Sequence, residues 1–590
     1  MTSDPTTIVE AISLRLRRQL RGSELGIVAL AAIVGVLAAL VVIAMNAGAQ
    51  AMHELIFRIA PGQHLSTSTN IAPLLALLGP ALGGLAFGLL SWLVLRRATG
   101  QPVDPIEANA LHGGRMSLKD SLIVALQTMF SSGVGASVGL EAGYTQASSG
   151  LASRLGQLFH VRRGDMRLLV ACGAGAAIGT AFNAPLMGAF YGFELILGTY
   201  AIPAFVPMMT ASFTATITRQ MLQPNIEPLL TDFGAPGLPD LPALLLLGVV
   251  CGLVGIAVMR GATLVEAGFR RSALPTFLRP AIGGLIVGGL ALFSPAVLSA
   301  GHGAVYHYLA ADSTLAVVGL VLVAKVTASS VSIGSGFRGG LFFASLLMGV
   351  MAGQAFAATL ALVVPDMVQA HNIYALVGMS SLAVAVVGGP MTMTLLALEM
   401  TGDLKLTLAV LAASGAASLV TRRMFGFSFT TWRFHLRGEN IRGPHDIGWL
   451  RDMTVGSMMR REVPQLDADT SLEQARLAFP LGSTSYLIAT ERGRYLGMIR
   501  PMALFDPAAT TEKAAPSTLR PLLAHAGETL RPEMTIRDAL ASFERAEADA
   551  LTVVAPDGTP VGILSESHAV RRYSEEMGRR LGELTDERRD

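Results

Sequence analysis

The chain has 590 residues, of which 52% are hydrophobic and only 15% charged, and its mean hydropathy is +0.53. That is too apolar for a chain whose whole surface meets water, and the small net charge of +2 gives no reason to expect a nucleic-acid partner. The two cysteines, Cys172 and Cys251, both lie in apolar runs, which argues against a disulfide framework or a zinc site.

In chain order, RLRRQLRG supplies Arg15, Arg17, Arg18 and Arg21 within a cytoplasmic segment, 1–23. The next run, LGIVALAAIVGVLAALVVIAMN, is long enough to cross a bilayer and lacks a cleavage site, so it reads as a spanning helix and not a signal peptide. Spans are expected at about 25–46, 71–95, 118–131, 241–260, 280–293, 315–332 and 393–421. After the last span come Arg422, Arg423, Arg433 and Arg437. Basic flanks at both ends predict an even number of crossings, with both termini cytoplasmic at a cell (inner) membrane. Charge is sparse up to about Phe434 and ordinary afterwards, so a membrane domain over 24–440 is followed by a soluble one over 441–590.

Between the spans lie GVGASVGLEAG, ACGAGAAIGTAFNAPLMG, SIGSGFRGGLFF and VGMSSLAVAVVGGP. Their glycines interrupt a uniform helix, yet they are too apolar for water. Irregular backbone at membrane depth is tolerated only inside protein or along a cavity. Glu141, alone among small residues in the first of these pieces, is therefore a functional candidate. An internal repeat supports this. FNAPLMGAFYGFELILG (182–198) matches VVGGPMTMTLLALEMTG (386–402), pairing Pro185 with Pro390 and Glu194 with Glu399. VGLEA (138–142) matches GGLFF (339–343), so Glu141 falls opposite Phe342. The repeats cover about 70–200 and 275–421, and a site between duplicated halves is the pattern of a transporter or channel. Glu194 and Glu399, late on their helices, are expected to be structural hydrogen-bonding groups.

At these residues the chain resembles the CLC family of chloride channels and chloride/proton antiporters, over roughly 20–440. FNAPLMGAFYGFE is similar to the family's FNAPLAG…E signature, GSGFRGGLFFASLLMGVMAGQ to its GGxFxP segment, and VGGPMTMTLLALEMTGD to its APLT…LEMTG segment. GLEAGYTQ stands where the family has GREGPxxQ, and SFTTWRFHLRG where many members have SIYxxLLxxRG. The resemblance implies an all-α polytopic membrane fold with two inverted-topology repeats, a homodimer, and an anion pore within each subunit. It further implies that backbone amides around Gly340, Leu341 and Phe342, and around Gly139, Leu140, Ala142 and Gly143, cradle chloride or a similar small anion. Helix starts suit this role because they offer free amides and a positive dipole end.

Glu141 is then both gate and proton acceptor. Its carboxylate occupies an anion position when charged, and swings away when protonated. Against the family pattern, Leu140 stands for the usual Arg and Gly143 for the usual Pro. The family's central serine falls on Pro102 or Gly100, according to the anchor chosen, and its central tyrosine on Thr430. The acid that follows the Glu194 position in several antiporters is Leu195 here. Anion transport through a gated pore is the expected function, with proton-coupled antiport as its alternative.

The tail is duplicated too. SLEQARLAF (471–479) resembles TIRDALASF (535–543), and YLIATERGRYLGMI (486–499) resembles LTVVAPDGTPVGIL (551–564). This looks like a CBS domain pair over about 451–511 and 517–578, a small α/β module. Adenine nucleotide is a possible ligand of such pairs, held by an Asp whose place is taken here by Ala503 and His568. A CBS-based ligand sensor is a further alternative. An enzyme is not expected, because His53, His64, His112, His302, His307 and His371 form no metal or nucleophile motif such as HExxH.

Overall fold

A computed structural model describes residues 24–95, 102–224, 233–234, 236–311, 313–364, 371–436, 453–505 and 518–585. The chain divides into two compact units, Met1–Asp446 and Ile447–Asp590. The boundary expected at 440/441 lies outside the described residues.

Unit 1 is helical. Its first half contains α1 (Glu24–Phe57), α2 (Pro73–Leu95), α3 (Pro105–Leu111), α4 (Leu118–Gly133), α5 (Glu141–Phe159), α6 (Arg163–Phe182), α7 (Pro185–Tyr191) and α8 (Ile202–Leu222). The second half contains α9 (Leu241–Arg271), α10 (Arg279–Ala291), α11 (His302–Ala310), α12 (Leu315–Ser335) and α13 (Phe342–Val363). It ends with α14 (His371–Val387), α15 (Pro390–Thr401), α16 (Leu404–Met424) and α17 (Phe429–Leu436). Seven helices among the described residues are long and apolar enough to cross a membrane.

Three expectations are corrected. The single span at 393–421 is two helices, α15 and α16, because Gly402 turns left-handed (φ +67°) and Asp403 caps the next helix through the Leu406 amide. The glycine-rich ACGAGAAIGTAF is unbroken helix, and the chain breaks only at Asn183 and Ala184. VGMSSLAVAVV is likewise helical up to Gly388. The glycines in these helices serve packing. A Cβ at Gly173 of α6 would lie 2.6 Å from the Ser148 carbonyl of α5, and one at Gly349 of α13 only 2.5 Å from the Gly378 carbonyl of α14. Small residues let membrane helices approach backbone to backbone where no hydrophobic effect drives association. Helix α8 went unpredicted because Pro203, Pro207 and its threonines hide the apolar period.

The halves are duplicated. Each Pro-started helix is capped by the glutamate of the other repeat. Glu399 accepts from the amides of Leu186 (2.8 Å) and Met187 (2.9 Å), while Glu194 accepts from those of Met391 (3.0 Å) and Thr392 (2.8 Å) and from the Thr392 hydroxyl (2.6 Å). The carboxylates thus satisfy amides that no helix can satisfy internally, and they tie the repeats together.

Unit 2 contains two sheets of one design, β1 (Gln465–Asp467), β2 (Leu487–Glu491) and β3 (Arg494–Ile499), then β4 (Thr529–Leu530), β5 (Ala550–Val554) and β6 (Pro560–Ser565). In each, the first pair is parallel and the second antiparallel. A helix, Leu472–Ala478 or Ile536–Ala546, makes each parallel crossover, capped by the side chains of Ser471 and Thr535.

Candidate functional site

Helices α4 and α12 occupy equivalent places in the repeats, and each ends before a turn with positive φ, Gly135 (+90°) and Gly336 (+109°). The turns send two extended segments across each other, toward the starts of α5 and α13. Serines fix them reciprocally. The Ser137 amide donates to Ser332 Oγ of the other repeat (2.9 Å), and the Arg338 amide donates to Ser131 Oγ (3.1 Å). Where the segments meet, Gly139 N–H donates to the Gly340 carbonyl (2.9 Å) and Gly340 N–H to that of Gly139 (3.3 Å). This two-residue antiparallel bridge joins the halves, and both helix starts follow it directly.

Glu141 is the first residue of α5 and only 3% exposed. Its side chain folds back over Gly139. A Cβ there would lie 2.8 Å from the carboxyl carbon and closer still to Oε2. Among the described residues neither carboxylate oxygen has a hydrogen-bond partner, although the amides of Glu141 and Phe343 face it. A buried carboxylate without partners is costly, which makes Glu141 the leading functional candidate of this site.

A cavity of about 590 Å³ reaches this point. It brings together Glu141, Ala142, Gly340, Leu341, Phe342, Pro102 and Thr430. Helix geometry leaves the first amides of α5 and α13 without internal acceptors. Gly143 differs, since its amide already donates to the Leu140 carbonyl (2.9 Å) and its Cα packs toward Met45 and Thr128. The Leu140 side chain lies in the apolar core, and Gly100 lies outside the described residues. Phe342 is at once cavity wall and core, with Phe182 5.3 Å away, centroid to centroid.

The cavity also holds residues to which the sequence assigned no role in a site. Arg270, Arg279 and Arg338 line it with Asp104, Glu266 and Tyr191, and Arg433, expected as a basic flank, joins them. Arg338, directly before Gly339–Gly340, was visible as a charge inside a glycine-rich helix start. Asp104 Oδ1 accepts from the Ile106 amide (2.9 Å) at the start of α3. Lys325 is fully buried in α12, donating to the carbonyls of Val297 (3.2 Å) and Ser299 (2.8 Å).

The histidines gather no metal. Among the described residues no three His, Cys, Asp or Glu side chains converge on one point, and His302 instead stacks on Phe343 at 3.8 Å. In unit 2, His568 faces Arg571, and Ala503 lies in the short helix Pro501–Leu504 that follows β3. A cavity of about 20 Å³ lies between Tyr486, Met498, Arg500, Ala524, His525 and Ala550, well below the roughly 300 Å³ of a small-ligand site.

Residues 83–422 match the family model described as voltage gated chloride channel, and residues 523–575 match that of the CBS domain. The voltage-gated ClC-type chloride channel ClcB of Escherichia coli O9:H4 (strain HS) is 30% identical over 404 residues, covering 67% of this chain and 95% of the relative. Among solved structures, a slow cyanobacterial Cl−/H+ antiporter superposes with a TM-score of 0.62 at 25% identity, covering 70% of this chain and 97% of its own. A eukaryotic CLC transporter gives 0.60 at 17% identity, covering 94% and 98%, and so shares the fold.

Proposed function

The chain belongs to the voltage-gated chloride channel family and carries a CBS domain, and on that premise we propose that it moves chloride or a similar small anion through a pore in each subunit, with Glu141 as the gate. The observation that carries this reading is the Glu141 carboxylate itself. It is buried and unpartnered, and it lies over the bridge where two helix starts and a cavity lined with arginines converge. A charged carboxylate there competes with the anion for the same amides. Protonation removes its charge and with it the competition, so flux rises with proton supply. The Ala142, Gly340, Leu341 and Phe342 backbone, with Thr430 and Pro102, forms the anion path.

Passive gated flow is the first reading, because Leu195 offers no second acid beside Glu194. Proton-coupled exchange is the second, favoured by the likeness to the slow cyanobacterial Cl−/H+ antiporter. On this reading the protein works in the cell (inner) membrane as a homodimer with both termini cytoplasmic. Large apolar side chains at the surface of α8, such as Ile202 and Phe205, suit lipid or a second copy. The duplicated tail over about 451–511 and 517–578 acts as a CBS pair, a dimerisation or coupling module.

The test is chloride efflux from proteoliposomes with a pH electrode in the bath. Chloride efflux with no proton movement supports gated flow, proton uptake in fixed ratio supports exchange, and no anion movement at any pH sinks both.

A further inference from the structure

We propose that Tyr191 supplies the side-chain hydroxyl that binds the anion at the inner part of the site, an assignment that rests on the anion-transport reading. Pro102 has no donor, and Thr430 offers only a short one. The Tyr191 ring lines the same cavity as Ala142, Phe342 and Thr430, and lies 6.1 Å from the Phe342 ring, centroid to centroid. Asp104, directly before α3, and Glu141 line the same cavity as Tyr191. Among the described residues no acceptor takes its proton, so the O–H is left to whatever fills the cavity.

The two repeats differ at this residue. The place equivalent to Tyr191 on α15 is Leu396, 1% exposed and part of the apolar core. Helix α7 also ends at Tyr191 in a π turn, Gly192–Leu197, with the Gly198 amide donating to the Phe193 carbonyl at 2.7 Å, whereas α15 runs on as α-helix to Thr401. Such turns re-aim side chains and cluster at functional sites. A phenol is a good donor to an anion because it adds no charge that would hold the ion permanently. The Tyr191 ring neighbours that of Phe342, the first residue of α13, whose amide has no acceptor inside its own helix, so both belong to one wall of the cavity. Asp104 is turned onto the Ile106 amide, and the four arginines on the cavity wall outweigh it and Glu266.

The test is calorimetric titration of the full chain in detergent with chloride and nitrate, paired with efflux from liposomes. Tyr191→Phe is expected to weaken chloride binding roughly 10-fold, the loss of one hydrogen bond to an ion, and to leave the pH dependence of flux as it was. If that variant does not elute as a single species, Tyr191→His, which keeps a ring donor, is expected to bind chloride more tightly than Tyr191→Leu, the residue of the duplicate position. Unchanged chloride binding overturns the assignment, and unchanged binding with an altered pH profile makes the phenol a proton relay instead. Chloride binding that depends on Tyr191 in a protein passing no anion would uphold the site and reject transport, so the two failures remain distinct.

Discussion

Gly139→Ala is the most incisive perturbation, because it removes no functional group. Gly139 does not occupy the left-handed region, so alanine suits its backbone, and the bridge to Gly340 uses only main-chain atoms. The added Cβ, however, would stand 2.8 Å from the Glu141 carboxyl carbon, inside ordinary contact distance. The carboxylate is the far end of a flexible side chain and yields first. Overpacking of this size costs about 1–3 kcal/mol, which disfavours the folded-back conformer roughly 5- to 150-fold. Chloride efflux at pH 7.5 should therefore rise, and its dependence on pH should flatten, although Glu141 is still present. Comparing efflux rates of wild type and variant across a pH series gives the answer. A variant with wild-type rate and wild-type pH profile would refute the claim that the carboxylate over Gly139 closes the path.

Other outcomes follow from the same geometry. Glu399→Ala orphans the amides of Leu186 and Met187 and should cost about 2–4 kcal/mol, with Glu194→Ala costing more because three donors lose their acceptor. Thermal loss of the monodisperse chromatographic peak ranks them, and equal midpoints would contradict the capping role. Gly349→Val should fail to give that peak, since its side chain meets the Gly378 carbonyl, whereas Gly319→Val, with nothing within 4 Å, should behave as wild type. In unit 2, Arg520 holds the Asp469 carboxyl below the usual carboxylate range. A depressed folded-state value stabilises above the unfolded one, near pH 4, and that contribution vanishes as pH falls through the folded value. Arg520→Leu should therefore lower stability slightly at neutral pH and shrink its loss on acidification, read by circular dichroism of residues 447–590.

The membrane unit was legible where chemistry is local. Apolar runs, Pro-started helices and the lone Glu141 each carry their reason in the residues beside them. The pairing of Glu141 with Phe342 in sequence became the Gly139–Gly340 bridge in space, because duplicated segments meet at the junction of the halves. Less was legible where one residue serves several ends. Glycines in α6 and α14 looked like breaks but allow close packing, since the same missing side chain serves either purpose. Tyr191 and Arg338 could not be placed on the cavity from spacing alone, because a helix face becomes a wall only once its neighbours are fixed. The Ser131–Arg338 and Ser137–Ser332 ties were equally hidden, as each joins residues from different repeats.

The central claim is that the protonation of one carboxylate decides whether an anion passes. Glu141→Gln has nearly the same shape as the protonated side chain and carries no charge at any pH, so chloride efflux measured in liposomes from pH 4.5 to 8 tests it most directly. The account predicts brisk efflux that no longer varies with pH, and no accompanying proton movement. A pH profile unchanged from wild type would contradict it.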